Sequence, residues 1–177
     1  MIKQLSSKEV YRNNWMIVCE DEVEFKNKHK GIFGVVKKDD FALVVPFDGK
    51  NFYLVKQYRY PIKKDSWEFP QGKHENDSEI DPTVLAKAEL KEETGLISQQ
   101  LEEIGFFHEA PGYCNQGFHI FLARELIQAE QELEKTEVGL HVKKITVTEF
   151  EKMVMNGEIT DAPTISVYGL LKIKRFI

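Results

Sequence analysis

Glu89, Glu92 and Glu93 stand at positions i, i+3 and i+4 of one short segment. On an α-helix this spacing puts three carboxylates on one face, with Cβ atoms about 5–6 Å apart. Like charges so placed repel, by roughly a few tenths of a kcal/mol per pair, and a face shaped only for stability would interleave lysine or arginine. A hard divalent cation, Mg²⁺ or Mn²⁺, removes the repulsion because carboxylate oxygens are the ligands it prefers. The pattern therefore offers metal-assisted chemistry. The plain alternative is a solvated acidic helix face, and a Glu-x-x-Glu-Glu string taken alone describes that more often.

The elements around these residues must aim them. Asp81-Pro82 has the signature of a helix start, with Asp81 as N-cap and proline at the first helical position. Gly95 is placed to end the helix after Glu93 or Thr94. Val84, Leu85, Ala86, Ala88 and Leu90 supply apolar surface to pack on a sheet. Upstream, Trp15–Cys19, Gly31–Val36, Phe41–Phe47 and Phe52–Tyr58 are β-rich runs. Asp48-Gly49 between the last two is a hairpin signal and predicts that these strands pair antiparallel. A polar segment, 61–81, is broken by Pro61, Pro70 and Gly72. Further strands are expected near Leu101–Glu109, Phe118–Ala123 and Leu140–Val147. Glu125–Glu137 is expected to be a loop, and helices are expected near Thr148–Asn156 and Ala162–Arg175. Strands, a helix, then strands and helices again predict a mixed α+β layered fold.

The 177 residues suit one domain with an N-terminal extension. A chain 42% hydrophobic and 30% charged can bury a real core. Its net charge of −5 gives no general attraction to a polyanion, so a stable nucleic-acid complex is not expected. A small phosphorylated ligand remains open, because bound metal ions invert the local field. Cys19 and Cys114 are far apart with no CxxC spacing, which argues against a disulfide scaffold or structural zinc. No run approaches the roughly 18 apolar residues of a membrane span, and Met1–Ser7 lacks a signal peptide's apolar stretch. No membrane association is expected, and the cytoplasm is the expected compartment.

Gly72, Ala88-Glu89-Leu90, Glu92-Glu93 and Gly95-Leu96 together resemble the Nudix box, G-x5-E-x7-R-E-U-x-E-E-x-G-U, where U is bulky and apolar. The stretch from Gly72 to the arginine position is two residues longer than that pattern, and Glu79 is the nearest candidate for the early glutamate. Ala88 stands where the family has arginine, four residues before Glu92. Lys87 points about 100° away and is a poor substitute. The resemblance extends over roughly residues 10–175. Gln57-Tyr58-Arg59-Tyr60-Pro61, Trp67–Gly72, Pro111-Gly112-Tyr113 and Asn156–Ala162 are similar to segments of ADP-ribose pyrophosphatases and related nucleotide-sugar hydrolases. Pro70-Gln71-Gly72 departs from that subgroup's Pro-Ala-Gly and is closer to enzymes acting on dinucleoside polyphosphates or RNA 5′ ends.

The resemblance implies an α/β/α sandwich with a mixed sheet over residues 41–177. It also implies an N-terminal strand extension over residues 1–40, a possible dimerisation element of a homodimer. The implied activity is Mg²⁺-dependent (or Mn²⁺-dependent) hydrolysis of the diphosphate of a small nucleoside diphosphate derivative, ADP-ribose foremost. Glu89 and Glu93 are the implied metal ligands, assisted by Glu92 and the backbone carbonyl of Gln71. Metals so held withdraw charge from the diphosphate and lower the pKa of a bound water. The general base is expected from the acidic loop: Glu132, Glu134 or Glu137, with Glu137 favoured because it lies nearest the strand at Leu140. Arg59 is the candidate phosphate clamp, since a guanidinium pairs bidentately with phosphate oxygens; the competing role is a surface salt bridge. Glu68 is expected beside the metals or simply at a strand end. Trp67, Tyr58 and Phe107 have faces on which a base can stack, with core packing the competing fate. His119 and His141 alternate with apolar residues, and neither pattern marks a functional group. Two other functions remain open: a dinucleoside polyphosphate or RNA-end hydrolase, from Gln71, and a non-catalytic nucleotide sensor, from Ala88.

Overall fold

The computed structural model describes residues 1–73, 80–133 and 139–177. Three antiparallel strands come first: β1 (Lys3–Arg12), β2 (Ile17–Glu24) and β3 (Lys30–Lys37), in the order β1-β2-β3. β1 is exposed along its whole length, and its lack of apolar alternation hides it from sequence inspection.

The body of the molecule is built on β4 (Phe41–Pro46). It pairs in parallel with β9 (Gly117–Gln128) and antiparallel with the short β7 (Gln71–Gly72). β8 (Leu96–His108) completes this sheet on the far side of β9, in the order β7-β4-β9-β8. A second sheet has β5 (Asn51–Arg59) between β10 (His141–Thr146) and β6 (Lys64–Glu68). A 3-10 turn at Tyr60–Ile62 joins β5 to β6. The helices are α1 (Pro82–Thr94), α2 (Val147–Met155) and α3 (Ala162–Ile173). No helix among the described residues is long and apolar enough to cross a membrane.

Strand alternation divides the core. Leu43, Val45, Ile120 and Leu122 point to one side of the four-stranded sheet, into a cluster with Phe52, Leu54, Phe69, Phe150 and Val167. Ala42, Val44, Phe121 and Ala123 point to the other, against Leu85, Ala86 and Leu90 of α1. The result is the expected mixed α+β sandwich, with α1 on one face and the second sheet, α2 and α3 on the other.

The turn at Asp48-Gly49 forms, with Asn51 donating its backbone N–H to Asp48 Oδ1 at 2.7 Å and Gly49 at φ +91°. The hairpin does not. β4 and β5 lie in different sheets and pair only at a Phe47–Phe52 bridge. A strand has two edges, and β7 and β9 already occupy both edges of β4. Two smaller differences concern length. β8 begins at Leu96, and β9 runs to Gln128, so Glu125 lies in a strand rather than in the expected loop.

α1 has the expected ends. Asp81 accepts from Thr83 N–H at 2.7 Å and from Val84 N–H at 3.4 Å, satisfying first-turn donors. Gly95 closes the helix at φ +66°, its N–H donating to Lys91 O. α3 is stitched to the end of β6. Asp161 caps it by accepting from Thr164 N–H at 2.8 Å, and the Thr164 hydroxyl accepts from Phe69 N–H at 3.0 Å.

Candidate active site

The buried face of α1 carries the glutamates. Glu89 is 8% exposed and Glu93 only 2%, while Glu92 is half-buried. Carboxylates are seldom buried without a paired charge, so these two are not a solvated helix surface. Both turn toward β7. Gln71 N–H donates to Glu93 Oε2 at 3.0 Å, and Gln57 Nε2 lies 3.5 Å from Glu93 Oε1. The Glu89 carboxylate lies against Gly72, where an added Cβ would sit 2.5 Å from Oε2.

A third buried carboxylate joins them. Glu68, 2% exposed at the end of β6, takes a two-pronged grip from Arg59. Arg59 Nε donates at 3.0 Å, and Nη2 donates to Oε2. Glu68 also accepts from Gln71 Nε2 at 2.8 Å. Arg59, Glu68, Gln71 and Glu93 thus form one continuous chain of contacts. Burial works against the Arg59 charge, but Glu68, then Glu93 and Asp161, outweigh it and hold the guanidinium pKa above its ordinary value. Burial and the neighbouring Glu68 charge push the Asp161 carboxyl up. One guanidinium faces Glu68, Glu93 and Asp161, so negative charge is in excess.

This donor set fits a divalent cation. Its oxygens are hard, two buried glutamates lie one helical turn apart, and Gly72 leaves room beside Glu89. Among the described residues no three His, Cys, Asp or Glu side chains already form a metal cage. Mg²⁺ does not require one: it keeps several waters and is held through one or two carboxylates plus the substrate's phosphates.

A cleft of about 1230 Å³ opens beside this chain. Arg59, Glu68, Gln71 and Gly72 line one side. Trp15, Phe107 and Tyr113 supply aromatic surface, and Thr160 and Asp161 enter from the start of α3. The structure therefore gathers Arg59, Glu68, Gln71, Glu89 and Glu93. Trp67 is separated from them. Successive side chains of β6 point to opposite faces, so Ser66 and Glu68 reach the cleft while Trp67 packs against the core, with Lys56 and Lys143 near its ring. Tyr58 is 57% exposed and does not line the cleft; Phe107 does. Glu132 pairs with Lys91 at 2.7 Å, and His119 with Glu103 at 2.7 Å. His141 is exposed. Glu79, Glu134 and Glu137 lie outside the described residues.

Sequence inspection missed Trp15, Tyr113 and Asp161 as cleft residues. Trp15 carries no positional signal, and Tyr113 lies in the Pro111-Gly112-Tyr113 run, which marks a segment and not a cleft wall. Asp161 has one, the Asp-x-Pro helix start, but that marks a cap and not a cleft.

A profile described as NUDIX domain matches residues 37–164. A second, described as nucleoside diphosphate sugar hydrolase N-terminal domain, matches residues 2–36. The chain is 29% identical over 175 residues to an ADP-ribose pyrophosphatase of Bacillus subtilis, covering 97% of this chain and 93% of that protein. It is 26% identical over 175 residues to a methanol dehydrogenase activator of Bacillus methanolicus, with the same coverage of 97% and 93%. Its fold superposes on a crystal structure of an ADP compounds hydrolase with a TM-score of 0.85 at 19% identity, covering 97% of this chain and 92% of that one.

Proposed function

Since the chain belongs to the Nudix family and is a pyrophosphohydrolase, we propose that it hydrolyses the diphosphate of a nucleoside diphosphate sugar, ADP-ribose foremost, with Mg²⁺ or Mn²⁺. The observation that carries this reading is the contact chain from Arg59 through Glu68 and Gln71 to Glu93, which ties a buried helix carboxylate to a guanidinium that lines the cleft. Glu89 and Glu93 would hold the metal, with Glu92 and the Gln71 carbonyl beside them. When bound, the metal draws charge from the diphosphate oxygens and acidifies a water.

The chain's own residues do the rest. Arg59 is fixed by Glu68 through Nε and Nη2 and lines the cleft, where Nη1 remains for a phosphate contact. Glu68 therefore orients the clamp as well as adding negative charge. Glu92 assists, and Glu137 in the acidic loop is the proposed general base. Water adds across one P–O–P bond, leaving a nucleoside monophosphate and a sugar phosphate. Trp67, on the other face of β6, does not line the cleft.

The N-terminal strands, residues 1–40, are proposed to dimerise two copies, leaving residues 41–177 as the hydrolase body. The exposed length of β1 and the match of residues 2–36 support this. The cytoplasm is the proposed compartment, and the free, buried Cys19 and Cys114 support it.

A panel of ADP-ribose, other nucleotide sugars, NADH, diadenosine polyphosphates and capped RNA, each with Mg²⁺, tests the assignment. ADP-ribose cleaved with the highest kcat/KM is the expected result. A preference for diadenosine polyphosphates or capped RNA would transfer the assignment to that class, which Gln71 favours. Tight binding of ADP-ribose with Mg²⁺ and no turnover would overturn the catalytic reading.

A further inference from the structure

Asp161 does more than a helix cap needs. A capping aspartate is ordinarily exposed, and its work is finished once it accepts the first-turn N–H groups. Asp161 meets that need through Thr164 N–H at 2.8 Å, yet it is half-buried and lines the cleft with Arg59 and Glu68. It is close enough to both to feel their charges, but it is not in ion-pair contact with Arg59, whose partner is Glu68. A carboxylate therefore stands in the cleft a short span from a guanidinium, and the protein does not close the gap between them.

Beside Arg59 itself an anion alone gains little, because Glu68 and Asp161 offset the guanidinium; Lys38, Lys73 and Glu109 line the cleft as well. A ligand that is anionic at one end and rich in hydroxyl donors a few bonds away gains at both ends. We propose that Asp161 is a specificity-determining residue that accepts a hydrogen bond from a sugar hydroxyl, while Arg59 holds the phosphate esterified to that same sugar. This rests on the nucleotide-sugar reading and adds the residue that recognises the sugar. Bonds from a hydroxyl to an ionised carboxylate are roughly twice as strong as neutral ones, so the pair discriminates a sugar phosphate from a bare phosphate or pyrophosphate.

The test uses Asp161→Asn and Asp161→Ser, both of which keep a capping acceptor and so keep α3. Binding of ribose 5-phosphate and of inorganic pyrophosphate is measured calorimetrically on the full chain with Mg²⁺. The two ligands should respond with opposite signs. Ribose 5-phosphate should weaken by about tenfold, the loss of one charge-assisted bond, with Ser at least as damaging as Asn. Pyrophosphate should hold or tighten, since a negative charge has left the cleft. If both ligands hold or tighten together, Asp161 is a cap and a charge only, and the proposal falls. It falls equally if both weaken together or if ribose 5-phosphate does not bind the unaltered chain. Turnover of ADP-ribose by the unaltered chain is scored separately. Absence of turnover with the opposite-sign binding result intact removes the hydrolase reading and leaves the sugar-phosphate site.

Discussion

A Cβ on residue 72 would lie 2.5 Å from Oε2 of Glu89 and 2.7 Å from its Cδ. Glycine at this position is thus the condition for the Glu89 carboxylate to rest against the backbone of β7. The obstructing atoms are the far end of a flexible side chain, so an added methyl group displaces the carboxylate rather than the fold.

Gly72→Ala should therefore separate activity from stability. We expect kcat/KM to fall on the order of 10²-fold, the loss that follows a misplacement of about 1 Å at a reacting centre. The thermal midpoint should stay close to that of the unaltered protein. Parallel loss of fold and activity in a melting curve would show that Gly72 serves the backbone instead.

Glu93→Gln keeps an oxygen that can accept from Gln71 N–H, so the strand–helix contact at 3.0 Å has a replacement. The charge is lost. Activity should drop by about 10²–10³-fold, as for other single charge-stabilising contacts, with Mg²⁺ titration showing weakened metal dependence. Unchanged hydrolysis would remove Glu93 from the metal site.

Arg59→Ala leaves Glu68, 2% exposed, without its guanidinium. Breaking a buried pair by removing one partner costs about 3–5 kcal/mol. The Arg59 side chain is 38% exposed, so solvent screening places this site at the lower end, about 3 kcal/mol. Urea denaturation measures it. Arg59→Lys keeps the charge but not the two-pronged grip, so KM should rise more than stability falls.

Asp48 gives the fold a defined acid sensitivity. Burial opposes its charge, but Lys144, the Asn51 side chain and the backbone N–H groups of Asn51 and Lys50 outweigh burial and hold the carboxyl well below its usual range. A depressed carboxylate pKa stabilises the folded state in full above the ordinary value of 3.8 and is lost progressively as pH falls below it. Thermal midpoints followed downward through that value should decline less in Asp48→Asn than in the unaltered chain, and parallel curves would refute the assignment.

Much of α1 was legible in the chain. Asp81, Pro82 and Gly95 mark its ends through interactions that reach only a few residues, and the i, i+3, i+4 spacing of Glu89, Glu92 and Glu93 puts them on one face. The cleft's other walls were not. Trp15 and Tyr113 reach it through tertiary packing that no local pattern encodes. Trp67 is turned from it by strand parity, which depends on which neighbour of β6 faces the cleft.

The amino-acid sequence by itself determined the ends of α1, most of the apolar strands, the family pattern and the acidic helix face, because capping, periodicity and helical spacing are short-range rules. Only the tertiary structure decided that β4 and β5 part into separate sheets, since the edges of β4 are claimed by strands distant in sequence. It alone brought Arg59 onto Glu68, set Glu93 against Gln71, and carried Asp161 into the cleft. Arg59 and Glu68 meet only because β5 pairs with β6, and Glu93 and Asp161 come from helices farther along the chain, so strand pairing and helix packing, not local pattern, set these contacts.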